Sequence, residues 1–220
     1  MVKRIVCDSS SIISMAVNCM CSFLGEMDAE LVVNKEVFDE IVSRPSSSKR
    51  YALESIRIKK LFNDGVIKVQ KANPRLTDEI IDVSNSIYRV KKQYIKIIHR
   101  GEAGALALAR DIDADGFMID ERTMRMILED PEMLCSVLNR QTNQKVEINY
   151  KNLEVFRELV PPVKIIRSSE VAAVTYEKGV LGRNLGDNRK EAFLAVLYAL
   201  KFSGCAISWE EIDDYATILK

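Results

Sequence analysis

Gly101–Arg125 reads GEAGALALARDIDADGFMIDERTMR. Gly101 punctuates the chain, and Glu102 to Asp111 follows as a stretch rich in Ala and Leu, the residues that propagate a helix most readily. Gly116 to Ile119 is a short apolar run that stops at Asp120, and Thr123 to Leu128 begins another helix. A short apolar strand set between two helices reads as a strand of a parallel sheet, covered on both faces. Working outward, Arg4 to Cys7 repeats the pattern and stops at Asp8. Leu31 to Asn34, Val66 to Val69 and Val163 to Ile166 supply further strands.

The helices expected between them run from Ile12 to Leu24, with Ser10 as cap, and from Lys35 to Val42, broken at Pro45 with Ser46, Ser47 and Ser48. Another runs from Tyr51 to Asp64, ended by Gly65. Pro74 precedes a long helix, capped by Thr77, whose apolar positions Ile80, Ile81, Val83, Ile87 and Val90 keep helical spacing. Between Glu129 and Pro162 the pattern is less regular: a helix at Met133 to Asn139, a strand at Lys145 to Ile148, a helix at Asn152 to Leu159 and a stop at Pro161-Pro162. Ser168 caps a helix to about Gly179, Arg189 to Phe202 is amphipathic, and Ser208 with Glu211 forms a capping box for the last helix. Alternating strands and helices predict an α/β fold: a parallel sheet with helices on both faces, in three layers.

The chain has 220 residues, 47% hydrophobic and 29% charged, with zero net charge. A core is affordable, and the balance argues against a globally basic nucleic-acid binder while leaving a local patch or a bound metal to carry the electrostatics. No apolar stretch is long enough to span a bilayer, and the first residues lack the apolar run and cleavage site of a signal peptide, so a soluble, cytoplasmic protein without membrane association is expected. Cys7, Cys19, Cys21, Cys135 and Cys205 are scattered, with no second pair to complete a zinc site beside Cys19 and Cys21. They read as reduced thiols that pack as small apolar groups.

Four acids stand out: Asp8 and Asp120 at strand ends, Glu40 in VFDEIV after the second strand, and Glu102 opening its helix, with Glu121 beside Asp120. In parallel sheets, sites form outside the carboxyl ends of the strands. Each acid alone has a structural reading as a cap or a complement to a helix dipole. Brought together, each like-charge pair at ~4 Å and an effective dielectric near 20 costs on the order of 4 kcal/mol. A cation relieves that repulsion, and oxygen-only ligands select Mg²⁺ or Mn²⁺, which activates water against a phosphodiester. The basic run Arg89, Lys91, Lys92, Lys96 and Arg100 is either a phosphate-contacting edge or a solvated helix face. Gly179 to Gly186 lacks the Lys-Ser/Thr of a P-loop, and His99, the only histidine, reads as a loop or helix-end residue.

The segments IVCDSSSIISMA, VFDEIV and GEAGALALARDIDADGFMIDERTMR, in that order, resemble the PIN-domain family. The likeness is to the branch with a GEAEALALA-like helix and an acid pair after the fourth strand. SSEVAAVTYEKGVLG and AVLYALKFSGCAISWEEI resemble that branch's C-terminal helices. The resemblance implies one PIN-like domain over residues 1–220, with 129–162 an insertion and 163–220 the strand and helices that complete it. It implies a metal-dependent endoribonuclease in which Asp8, Glu40, Glu102 and Asp120 are catalytic and bind Mg²⁺ or Mn²⁺ together with Glu121. Ser10 matches a small hydroxyl residue near the first acid, and Ser10, Lys92, Lys96 and Arg100 are the candidate substrate contacts. Implied partners are single-stranded RNA, an antitoxin-like protein of the kind that pairs with PIN toxins, and a second copy of the chain. The alternative is a non-catalytic PIN-like module that binds RNA or protein. Gly104 departs from the branch, which often has a second Glu there, and the position is read as peripheral.

Overall fold

The computed structural model describes residues 2–46, 51–160, 162–181 and 188–218. Eight strands occur in it: Lys3–Cys7 (β1), Ala29–Val33 (β2), Ile67–Val69 (β3), Tyr88–Val90 (β4), Gln93–Tyr94 (β5), Gly116–Met118 (β6), Val146–Ile148 (β7) and Lys164–Ile166 (β8). β1, β2, β3, β6 and β8 form a parallel sheet in the order β3-β2-β1-β6-β8, and β5-β4-β7 form a small antiparallel one. β1 is central, with Ile5 opposite Leu31 on one side and Gly116 on the other.

The helices are Ser9–Val17 (α1), Cys21–Leu24 (α2), Lys35–Phe38 (α3), Arg44–Ser46 (α4), Ala52–Asn63 (α5), Pro74–Ser84 (α6), Arg100–Asp111 (α7), Arg122–Glu129 (α8), Pro131–Thr142 (α9), Tyr150–Leu159 (α10), Ser168–Glu177 (α11), Arg189–Phe202 (α12) and Trp209–Ile218 (α13). Alternate residues along the strands divide them between two faces. Ile5, Cys7, Leu31, Val33, Ile67 and Met118 pack with α1, α5, α11 and α12; Val6, Val32, Phe117 and Ile119 pack with α6 to α10. The result is the three-layer α/β/α arrangement expected of alternating strands and helices.

Local chemistry departs from expectation at several helix ends. Asp8, not Ser10, caps α1, and the helix stops at Val17 because Cys19 turns into the left-handed region at φ 59°. Asn73, not Thr77, caps α6: its Oδ1 accepts from the Arg75 and Leu76 amides, with Pro74 in the first turn. That helix ends at Ser84, and Tyr88 to Tyr94 becomes a hairpin, because Asn85 turns the chain by accepting from the Ile97 and Ile98 amides at 2.6 and 3.0 Å. Ser168 is the first residue of α11 rather than its cap; Arg167 holds that position, and Glu170 accepts its amide at 2.7 Å. The Ser208–Glu211 capping box is present in both directions, at 2.7 and 3.0 Å. Helical structure runs on through Pro45, after a π-helical turn at Asp39–Ser43. Ser47, Ser48, Pro161 and the Gly182–Gly186 part of the glycine-bearing segment lie outside the described residues.

α9, β7 and α10 contribute Leu134, Leu138, Val146, Leu153 and Phe156 to the core of the second face, and the Tyr88 hydroxyl donates to the Pro131 carbonyl at 2.9 Å. Among the described residues no helix is long and apolar enough to cross a membrane. Phe156 is 1% exposed, so Phe156→Ala is expected to lower unfolding stability by about 3–5 kcal/mol. Urea denaturation reads this directly, and a loss below about 1 kcal/mol would mean that α10 is an appendage rather than part of the common core.

Candidate functional site

The carboxyl ends of β1 and β6 are joined through one hydroxyl. Asp8 follows β1, and its amide extends the ladder by donating to the Met118 carbonyl at 2.8 Å. Ser10 Oγ donates to Asp8 Oδ2 at 2.7 Å and accepts the amides of Asp120 and Glu121 at 3.1 and 3.2 Å. One proton and two lone pairs are thereby used up. Ser10, expected as a substrate contact, has its hydroxyl bonded here to the acids of both strand ends. Asp8 Oδ2 also accepts the Ser10 amide at 3.0 Å, while Asp8 Oδ1 is buried and has no hydrogen-bond partner.

Asp120 is equally buried but satisfied. Its Oδ1 accepts the Ser168 amide at 2.8 Å and its Oδ2 the Ser168 hydroxyl at 2.6 Å, so the carboxyl clamps the start of α11. Both oxygens are turned to Ser168 rather than to Asp8. Glu121 caps α8 by accepting the Met124 amide at 2.7 Å.

Glu102 lies in the first turn of α7 and accepts the His99 amide at 2.7 Å. It borders a cleft of about 430 Å³ lined also by Ser9, Glu36, Glu40, Arg44, His99, Arg100 and Gly101. Glu40 reaches it from the π-helical turn, in which an extra residue shifts the side-chain register. A Cβ on Gly101 would sit 3.4 Å from Glu40 Oε2. Asn34 fixes the floor: its Oδ1 accepts the Val37 amide, and its Nδ2 donates to the Gly101 carbonyl, both at 2.8 Å. A Cβ on Gly104 would come within 2.3 Å of that Nδ2. Position 104 is thus a buried contact between α7 and the Asn34 turn, not the peripheral position expected, and the close approach accounts for glycine there.

The electrostatics follow from this crowding. Burial pushes the Glu102 carboxyl up to about 8 against the His99 amide's bond, and the charges of Asp8, Glu121 and Glu40 add to the rise. Asp8 is raised by burial, opposed by its bonds from Ser10, with Glu40 adding to the rise. Asp120 is raised by burial and held down by Ser168. Among the described residues no three His, Cys, Asp or Glu side chains converge closely enough to hold a metal ion as they stand. The donor chemistry nevertheless suits a hard divalent cation: an orphaned buried carboxylate oxygen on Asp8, which does not itself line the cleft, a Glu102 whose charge is disfavoured by burial and by Asp8, and oxygen donors from Glu40 and Glu36 on the cleft wall. Asp120 and Glu121 are committed to helix starts.

Of the basic candidates, Arg100 lines the cleft and pairs with Asp78 at 2.7 Å. Lys92 and Lys96 are exposed in and after the β4–β5 hairpin and are not among the residues lining the cleft. Arg89 pairs with Glu147 at 2.8 Å across β4 and β7. His99 is exposed and caps α7, the helix-end role expected. Sequence reasoning missed Asn34, Glu36 and Ser168. Glu36 stands four residues before Glu40, a spacing that could have drawn attention to it.

Because the folded state holds the Glu102 proton more tightly than the unfolded chain, its contribution is full below about pH 4.5 and is lost as pH rises to about 8. In EDTA, thermal unfolding should therefore occur at lower temperature as pH rises across that window, and Glu102→Gln should flatten the slope. Equal slopes in both proteins would place the Glu102 carboxyl at its ordinary value. Gly104→Ala should destabilise by about 1–3 kcal/mol through overpacking. Combining it with Asn34→Ala should give less than the sum of the two losses, whereas strict additivity in denaturant titrations would mean that the two residues do not press on each other.

Comparison with known proteins gives one family: residues 4–133 match the family described as a PIN domain. No curated protein matches the chain. No solved structure matches it. The match spans more than half of the 220 residues and includes all of β1 but its first residue, the Asn34 turn, α7, β6 and all five candidate acids. PIN domains are generally nucleases, and this chain belongs to the PIN-domain family.

Proposed function

We propose that the protein is a metal-dependent endoribonuclease that hydrolyses RNA phosphodiester bonds at the cleft between α7 and the Asp39–Ser43 turn. The observation that carries this reading is the buried, unpartnered Oδ1 of Asp8 beside a Glu102 whose charge is disfavoured. An unsatisfied buried carboxylate oxygen is costly unless something occupies it. Asp8, Glu102 and Glu40, with Glu36 at the wall, are the residues that would hold Mg²⁺ or Mn²⁺. Such an ion lowers the pKa of water and polarises a phosphate. Ser10 fixes Asp8 in place, and Asn34 fixes Gly101 and hence the entry of α7. Glu102 faces the cleft with a carboxyl suited to take up a proton near neutral pH. Arg100 on the rim offers a cation to a substrate phosphate.

A second reading, a PIN-like module that binds RNA or protein without cutting, draws on a specific observation: Asp120 is spent on Ser168, and no three acids converge among the described residues. Cleavage of a mixed single-stranded RNA pool in Mn²⁺ and in EDTA separates the two. Metal-dependent cleavage is expected, with Asp8→Asn reducing it by about a hundredfold or more. No cleavage in any divalent metal, or equal cleavage by Asp8→Asn, favours the module. Asp120→Asn should lower the melting temperature and leave measurable cleavage, as befits a clamp on α11. Loss of cleavage at an unchanged melting temperature would instead make Asp120 a ligand.

A further inference from the structure

The face beside Asp120 carries three exposed aromatic rings that neither the core nor the acid cleft uses. Tyr198 and Phe202 lie one turn apart on α12, and Trp209 opens α13; they are 39%, 78% and 52% exposed. The Trp209 ring centroid is 6.0 Å from that of Tyr198 and 5.9 Å from that of Phe202. Lys201 Nζ sits 4.6 Å from the Trp209 centroid and donates to the Ile207 carbonyl, which sets the tryptophan in place. A groove of about 420 Å³ adjoins the rings, lined by Arg122, Arg125, Lys201, Phe202 and the 205–208 loop. That loop is locked to the sheet end: the Ala206 amide donates to the Asp120 carbonyl at 3.2 Å, and the Ala206 carbonyl accepts from Arg125 and Arg167, each at 3.0 Å.

We propose that this surface is a base-stacking platform for single-stranded RNA, leading the strand towards the acids. Three arguments support that occupant over a protein. The rings are interleaved with cations, Lys201 against Trp209 and Arg122 on the groove wall, which suits bases on a charged backbone. Arg122 is exposed and has no ion-pair partner among the described residues, whereas Glu211, the acid that lines the groove, is paired with Arg167 at 2.8 Å, a guanidinium it shares with Glu170 at 2.6 Å. The groove also lies beside the carboxyl end of β6, since Arg122 follows Glu121 directly and the Ala206 amide is bonded to the Asp120 carbonyl. Exposed rings in such a cluster mark an interaction surface. The inference rests on the nuclease reading for its direction but not for its test.

Trp209 is the only tryptophan, so its fluorescence reports stacking without a label. The full chain is titrated in EDTA, where metal-dependent cleavage is stopped, with an oligouridylate of about 12 nucleotides, and 5′-labelled RNA is followed by anisotropy in parallel. Quenching of Trp209 is expected, with roughly tenfold weaker binding for Phe202→Ala. For Arg122→Ala, the slope of log affinity against log salt should fall by about 0.7. Quenching with these losses, but no cleavage in any metal, supports the platform and removes the nuclease reading. Cleavage in Mn²⁺ by a protein whose Trp209 is unmoved by RNA, and whose Phe202→Ala variant binds as well as wild type, overturns the platform alone. So does self-association that Phe202→Ala abolishes while RNA leaves the fluorescence unchanged, because the patch is then an interface between copies.

Discussion

The Ser10 hydroxyl spans the ends of two neighbouring parallel strands, and the rest of the site hangs on it. By donating to Asp8 and accepting the Asp120 and Glu121 amides, it sets the separation between the end of β1 and the turn after β6. Asp8 then caps α1 from one oxygen and leaves the other bare, while Asp120 is directed away to clamp Ser168. A single hydroxyl thus joins two strand-end acids in unlike surroundings, one with a bare buried oxygen and one tying α11 to the sheet.

Negative charge at this edge is kept close by packing rather than by attraction. Asn34 holds the start of α7 against the turn that carries Glu36 and Glu40, and only a glycine at 104 allows the two to approach so closely. Burial in this packed edge raises the Glu102 carboxyl to about 8, with the neighbouring acid charges adding to the rise, a strain on the folded state that protonation relieves. Stability and proton uptake are therefore linked through the Glu102 carboxyl. The loops that build the edge come from both helical layers, which is why the two cores must both be complete for the site to exist.

The sequence by itself determined the parallel α/β fold, since short apolar strands stopping at acids and separated by periodic helices admit few other architectures. It also placed acids at the carboxyl edge of the sheet, and in the structure the charges of Asp8, Glu121 and Glu40 add to the rise that burial imposes on the Glu102 carboxyl. Only the tertiary structure decided how each acid is used. Asp120 and Asp8 look alike in sequence, each an acid after an apolar run, yet Ser168, 48 residues on, claims one of them. The hairpin at Tyr88–Tyr94 was hidden for a related reason: its apolar residues also fit helical spacing, and the break comes from Asn85 bonding amides 12 and 13 residues away. Local pattern fixes propensity and face, whereas a side chain's partner is set by groups distant in the chain, which no local periodicity encodes.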